Sequence, residues 1–319
     1  MGPMVKKHRI GNLESANTKM REYVIDNAIR MKMILDTYVL GENGYLIKAL
    51  SIDSDETSFD VQKLHQIAFL KTFLTFDGSI LINLAKSILQ DEIDRLSFYE
   101  SGQWDTLIKQ LVEEYSQKKD LEYQDIGKLN RLRDFISRNK YNPETIRHHF
   151  PPRAGALSDF GIIKYEKKKS GGIVYKKTQK TQKFVDSFPD FGAIDQSLKG
   201  KTGDFYSRIS NFMGYESKKF DMKNDFENIS EHIKSAYECA KIENSSNIPL
   251  SAIDNAVSIR SLLGVEPNDK TNESVNPQRS KICEPIDVRA VLQKMIKESH
   301  NFRTHKNRQG LPFYLSKKK

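Results

Sequence analysis

Apolar positions recur at three- and four-residue intervals through most of the chain, which predicts a mainly α-helical fold. Met20, Tyr23, Val24, Ala28, Met31 and Ile34 fall on one stripe, with Lys and Arg filling some of the gaps. A second stripe carries Leu64, Ile67, Ala68, Leu70, Phe73 and Leu74. A third, starting after Asp77-Gly78, carries Ile80, Leu81, Leu84, Ile88 and Leu89. Asn43-Gly44 and the acidic run Asp53-Ser54-Asp55-Glu56 are expected to break the helices. Residues 1–100 therefore read as a helical domain without a chemical signature. Gly41-x-x-Gly44 lacks the lysine and the serine or threonine that a phosphate-binding P-loop needs.

From Trp104 the pattern changes. Trp104, Leu107, Ile108, Leu111, Val112 and Tyr115 predict one amphipathic helix. Ile126, Leu129, Leu132, Phe135 and Ile136 predict another, with Lys128, Arg131, Arg133 and Arg138 on its solvent side. Asn142-Pro143 starts a short helix, Asn as N-cap and Pro at the first helical position, with Ile146 and Phe150 facing inward. Pro151-Pro152 is expected to end that helix and open the next, Pro152 to Phe160, whose inner face is Ala154, Leu157 and Phe160. Gly161 suits the position just past its end. Ile163 and Tyr165, then Ser170-Gly171-Gly172, then Ile173 and Tyr175 predict a β-hairpin. Lys183-Phe184-Val185-x-x-Phe188 begins a closing helix.

That order of elements is the order of a winged helix-turn-helix, and particular residues carry a resemblance. Arg153-x-x-x-Leu157-x-Asp159-x-Gly161-Ile162-Ile163, a charged turn, and Tyr175-x-x-Thr178 resemble the pattern of winged-helix DNA-binding domains. In that family an arginine often precedes a recognition-helix leucine, and a Gly-Leu-Ile-like corner leads into the wing. A Tyr-x-Leu-Thr-like return strand then enters a final helix. This chain departs at Lys177, where leucine is usual, and at Gln182, where glycine is common. The resemblance covers Leu121 to Phe188, about 70 of 319 residues, at superfamily level. It implies binding of duplex DNA.

Residues beyond 190 again predict helices, built on Phe205, Ile209, Phe212 and Met213, on Ile229, Ile233, Ala236 and Ala240, and on Ile253, Val257, Ile259, Leu262 and Leu263. Glu266 to Arg279 is polar and reads as an exposed loop. Val288 to Met295 is a last helix, followed by Asn301–Leu315, where Asn307-Arg308-Gln309-Gly310 turns a second hairpin. The expected architecture is multi-domain: a helical domain at 1–100, a winged helix at 101–190, and a helical domain with a basic tail at 191–319. A second winged-helix-like unit is expected at 249–316. The sequence shows no internal repeat.

Charge sharpens this picture. Lys and Arg number 51 against 42 Asp and Glu, giving +9 and a pI near 9.2, which favours anionic partners. The excess is clustered: Lys164, Lys167, Lys168, Lys169, Lys176, Lys177, Lys180 and Lys183 face Glu166 alone within twenty residues. Such a hairpin gains by releasing counterions from phosphates. Arg147, His148, Arg153 and Ser158 are further contact candidates in and before the recognition helix. Its outward positions Gly155, Ala156 and Ser158 are small enough to admit a groove wall. From Lys294 to Lys319 eight Lys and Arg face Glu298, with Phe302, Phe313 and Tyr314 interleaved. Arg303, Lys306 and Arg308 are the contact candidates there.

Other chemistries are poorly supplied. Cys239 and Cys283 are too few for a disulfide framework or zinc site. The first residues show no secretory signal, Met1-Gly2-Pro3 resembles a cloning remnant, and no stretch approaches a membrane span. A cytoplasmic protein, nucleoid-associated if DNA-bound, is expected, without cofactor, metal or membrane, and with protein partners or self-association through the helical domains. His148-His149 and the pair His300/His305 lack metal-ligand spacing. Pro189-Asp190 with Glu216-Ser217-Lys218 matches a metal-dependent nuclease pattern, but Ile209 to Tyr215 before it reads as helix and turn rather than buried strand. The leading expectation is a non-enzymatic DNA-binding accessory subunit of a DNA-processing, phage-defence or replication assembly. A nuclease on Asp190, Glu216 and Lys218 and a pure assembly scaffold are the alternatives.

Overall fold

The computed structural model describes residues 26–35, 39–51, 63–117, 123–138, 143–190, 203–242, 247–267, 276–299, 302–306 and 312–317, with isolated positions 192 and 198. Within these the chain is mainly helical, with three small sheets. Helices α1 (Glu42–Leu50) and α2 (Lys63–Gln90) precede a two-residue strand β1 (Ile93–Asp94) and helices α3 (Arg95–Glu100), α4 (Gln103–Ser116), α5 (Tyr123–Arg138) and α6 (Pro143–Asp159). Strands β2 (Ile163–Lys167) and β3 (Ile173–Lys177) form a hairpin, followed by α7 (Gln179–Ser187) and α8 (Phe205–Met213). Then come β4 (Lys218–Lys219), α9 (Met222–Ala240), β5 (Ile248–Pro249), α10 (Leu250–Leu263), β6 (Lys281–Ile282) and α11 (Pro285–Ser299). A hairpin of β7 (Phe302–Lys306) and β8 (Pro312–Lys317) is last. The chain forms two compact units, one from residues 77–199 and 211–214, the other from residues 1–76, 200–210 and 215–319.

In the first unit, α6 supplies the core. Ile146, Phe150, Ala154 and Leu157 repeat at helical spacing and all are buried. The Phe150 ring meets Phe98 at 4.4 Å, Tyr175 at 5.2 Å and Tyr99 at 6.1 Å, so one side chain joins α3, α6 and β3. Pro151 and Pro152 lie inside α6 rather than breaking it. They offer no N–H to the carbonyls four residues earlier, at a cost of about 3 kcal/mol in a helix interior. The buried stripe continues through them at unbroken spacing, and packing decides over propensity. Gly161, at φ +67°, ends the helix as expected. Gly161 N–H donates to Ser158 O at 2.8 Å and Ile162 N–H to Leu157 O at 2.9 Å, a Schellman closure.

Other breaks expected from sequence are also helix interior. Helix α2 runs through Asp77-Gly78, because Leu70 and Leu74 on one side and Leu81, Leu84 and Ile88 on the other are all buried. A mid-helix glycine costs only about 1 kcal/mol against that burial. At 28 residues, with a window of mean hydropathy 1.4, α2 is long and apolar enough to cross a membrane, contrary to the sequence expectation; 56% of that window is buried inside the protein. Ile126, expected to face inward on α5, is exposed. Met20, Tyr23, Val24, Asp53–Glu56, Asn142, His300 and Asn307–Gly310 lie outside the described residues.

The second unit is organised around α10, buried along almost its whole length. Arg260 on it is 1% exposed and donates to Ala49 O at 2.9 Å and Ser235 Oγ at 2.8 Å, placing a cation at the last turn of α1. Burial beside Arg260 pushes His232 down to about 3 and keeps it neutral. Asn43-Gly44 opens α1 instead of breaking a helix, with Gly41 as N-cap. A Cβ on Gly41 would stand 2.3 Å from Lys32 O, and one on Gly44 2.1 Å from Met33 O. The two glycines therefore serve close backbone packing.

The sheets reveal a repeat that residue identities hide. In the first unit a helix, the two-residue strand β1, helix α3, later helix α6 and the β2–β3 hairpin give strand order β1-β3-β2. In the second, helix α9, strand β5, helix α10, later helix α11 and the β7–β8 hairpin give order β5-β8-β7. In each, a two-residue strand pairs antiparallel with the hairpin's return strand.

Two outcomes follow for stability. Gly44→Ala should lower the unfolding free energy by about 2 kcal/mol or more, because a backbone carbonyl must move; urea denaturation measures this. Asp254 on α10 is fully buried, with Oδ2 2.6 Å from Arg289 Nε, and burial raises its carboxyl to about 7 against the opposing pull of Arg289. Burial likewise raises Glu284 to about 7, although it accepts N–H bonds from Ser207 and Tyr206. Folded-state pKa values above the unfolded ones give stability that is full below about pH 4 and lost as pH rises through about 7. Hydrogen exchange of the Leu250–Leu263 amides, corrected for intrinsic rates, should show protection falling over that window and flattening in Asp254→Asn.

Candidate nucleic-acid interface

The β2–β3 hairpin pairs Lys164 directly opposite Lys176, Tyr165 opposite Tyr175, and Lys167 opposite Ile173. Like charges facing each other across a ladder are destabilising. Glu166 resolves the conflict: one carboxylate oxygen lies 3.0 Å from Lys164 Nζ and the other 3.0 Å from Lys176 Nζ. Glu92, just before β1, adds a third ion pair, 3.3 Å from Lys176. Hydrogen bonds from Lys176 and Lys164 hold the Glu166 carboxyl below its usual range, and those to Glu166 and Glu92 raise Lys176.

Asp94 binds a further lysine. Strand β1 pairs Ile93 with Tyr175 and Asp94 with Val174, bringing Asp94 beside the turn. Its Oδ2 lies 2.6 Å from Lys168 Nζ, while Oδ1 accepts from Leu96 N at 3.0 Å and Ser97 N at 3.1 Å as N-cap of α3. These interactions, the Lys168 hydrogen bond first, hold its carboxyl at about 2. The turn closes through Gly171 N–H to Lys168 O, 2.9 Å, with Gly171 at φ +84°. Thr178 ties the return strand to the corner after α6. Its hydroxyl lies 2.9 Å from both Gly161 O and Ile162 O, able to donate to one at a time, and forms a capping box with Thr181.

The lysines therefore divide. Lys164, Lys168 and Lys176 are paired with Glu166, Asp94 and Glu92. Lys167, Lys169, Lys177 and Lys180, like Lys183 further along α7, are exposed and have no ion-pair partner among the described residues. Two of the three neutralising carboxylates, Asp94 on β1 and Glu92 just before it, are brought in by a strand that sequence reading missed. Tyr165, expected to alternate inward, is 55% exposed and stands on the same sheet face as Lys167.

The remaining candidates scatter. Arg153 is committed to the protein, 2.9 Å from Asp77 Oδ1 and 2.8 Å from His149 O. Ala156 is buried rather than outward, Ser158 is half-buried, and a Cβ on Gly155 would meet open space. Arg147 and His148 lie on α6, where only their backbone is described. Arg303 and Lys306 are exposed on β7, in the other unit, and Arg308 lies outside the described residues. His305 bonds Ser316 Oγ at 2.8 Å. Asp190 belongs to the first unit, Glu216 and Lys218 to the second, and each is exposed. No group of three His, Cys, Asp or Glu fit to hold a metal occurs among the described residues. A groove of about 670 Å³ in the first unit carries Asp91, Glu92, Glu113 and Glu114 against Lys86, a charge unsuited to phosphate.

Comparison with family models, curated proteins and solved structures finds no match to this chain.

The Asp94 interactions yield a prediction. Its lowered folded-state pKa contributes stability that is present above about pH 4 and lost as pH falls towards 2. Denaturation followed by Trp104, the single tryptophan and a residue of the same unit, should show that decline, and Asp94→Asn should remove it. Asp94→Ala should additionally cost about 1 kcal/mol through loss of the cap.

Proposed function

We propose that residues 77–199 act as a winged helix that binds the backbone of duplex DNA through the β2–β3 hairpin. The observation that carries this reading is the set of four lysines, Lys167, Lys169, Lys177 and Lys180, without ion-pair partners among the described residues, on one hairpin and the helix start beside it. Unpaired surface cations crowded together repel, and phosphates relieve that repulsion by counterion release. The topology supports the same reading in altered form. Helix α3 stands where sequence reading put Tyr123–Arg138, since α3 packs on α6 and β3 while α5 packs on α4. Helices α4 and α5 are then an insertion between the two helices of the helix-turn-helix. Helix α6 lies against β2 and leaves Gly155 and Ser158 partly exposed, small residues that allow close approach, although the exposed Asp159 beside them adds a charge that repels phosphate.

Lysines dominate and Arg153 is engaged, so the interface reads shape and charge more than base edges. The role proposed is binding, within a larger DNA-processing assembly whose other subunits supply specificity.

Affinity for a labelled 20-base-pair duplex should fall steeply with salt. Changing Lys167, Lys169, Lys177 and Lys180 together to Ala should reduce the slope of log K against log salt by about 3 to 4, roughly 0.9 for each phosphate no longer neutralised. Asp94→Asn, which releases Lys168, should steepen it by about 1. Absence of duplex binding at low salt, or a slope that the four substitutions leave unchanged, would refute the proposal.

A further inference from the structure

The second hairpin shares the topology of the first but not its chemistry. Strand β8 presents Phe313 and Tyr314 to solvent, 48% and 38% exposed, on a protein whose other described aromatic side chains are mostly buried. Neighbouring strand residues ordinarily point to opposite faces. Here the register shifts: His305 pairs with Tyr314 and Lys306 with Pro312, so Phe313 is the extra residue of a β-bulge. A bulge re-aims a side chain, and the Phe313 and Tyr314 rings stand 4.6 Å apart at 87°.

The opposite side of this sheet is spent on the core. Phe302, Leu315 and Ile248 are buried, and Phe302 meets Tyr237 edge-on at 5.3 Å. The surroundings of the two exposed rings are cationic and hydrogen-bonded in place. Arg303 Nε lies 3.1 Å and His305 Nε2 2.8 Å from the buried Ser316 hydroxyl, fixing both side chains on the face that Tyr314 shares. Lys306 is exposed at the bulge.

We infer that the β7–β8 hairpin is a second nucleic-acid site, one that takes unpaired bases by stacking them on Phe313 and Tyr314 while Arg303 and Lys306 hold the adjoining phosphates. Exposed aromatics interleaved with cations suit single strands, because every base offers a flat face whatever its sequence. Duplex DNA, whose bases are already stacked, offers nothing to these rings. The two hairpins thus divide the work: lysines on the first for backbone, rings on the second for bases. This site is independent of the duplex reading, since it uses different residues and a different form of nucleic acid.

The test uses the full chain, a labelled 12-nucleotide oligothymidine, and a 12-unit abasic deoxyribose phosphate of equal charge. Stacking predicts that oligothymidine binds at least about tenfold more tightly than the abasic strand. Phe313→Leu with Tyr314→Leu should abolish that difference, whereas Phe313→Tyr should keep it. The Lys167, Lys169, Lys177 and Lys180 alanine variant, altered only on the other hairpin, should still prefer oligothymidine to the abasic strand. Equal affinity for the two strands would overturn the inference, leaving backbone attraction alone. Full retention of the base preference in the double leucine variant would also overturn it, since an apolar docking surface needs no rings. Because duplex binding is read on other residues, either proposal can fail without the other.

Discussion

Lys164 and Lys176 face each other across a two-stranded ladder, and much of the first unit follows from how that repulsion is met. A hairpin this basic gains little from its own sequence, since Glu166 is its single acid. The pairing of β1 with β3 supplies the rest. Two residues of strand bring Glu92 to Lys176 and Asp94 to Lys168, lay Ile93 against Tyr175, and start α3 through the Asp94 cap. From α3 come Phe98 and Tyr99, which close on Phe150. One short strand therefore couples the charge balance of the hairpin to the aromatic core beneath it, and loss of either would be felt by the other.

That coupling also sorts the lysines by function. Those neutralised by Glu92, Asp94 and Glu166 are structural, holding the sheet together. Those left over are available to a partner. An arginine that sequence reading assigned to DNA, Arg153, turns out to brace α6 against Asp77, so its chemistry is spent internally. On the proposed reading, the lysines that remain offer position and charge, which suits holding DNA rather than selecting a sequence.

Local signals were legible. The stripe of Ile146, Phe150, Ala154 and Leu157, the Gly161 stop and the Ser170–Gly172 turn can all be read from neighbouring residues, whereas the closing helix starts at Gln179, capped by Thr178, four residues before the expected Lys183. Pro151-Pro152 and Asp77-Gly78 misled, because each marks a weak point in a helix, and only the burial on both sides shows that packing overrides it. Strand β1 was unreadable: two residues have no periodicity, and its partner is about eighty residues away. With it went Glu92 and Asp94, and so the division of the lysines. The repeated order of helix, short strand, helix, helix and hairpin was hidden for the same reason, since β5 is equally short and the two hairpins carry different side chains. Ala156 is buried and Tyr165 exposed, the reverse of expectation: α6 packs on β2, and Tyr165 stands on that edge strand while its cross-strand partner Tyr175 is covered between β1 and β2.

The division of the lysines is most directly tested by amine-reactivity footprinting: brief acylation of the full chain with and without duplex DNA, each lysine quantified by mass spectrometry. Lys167, Lys169, Lys177 and Lys180 should be reactive in the free protein and protected by duplex, while Lys164, Lys168 and Lys176 react slowly in both states. Protection that falls on the paired lysines, or on none of the hairpin, would contradict the division and the binding surface built on it.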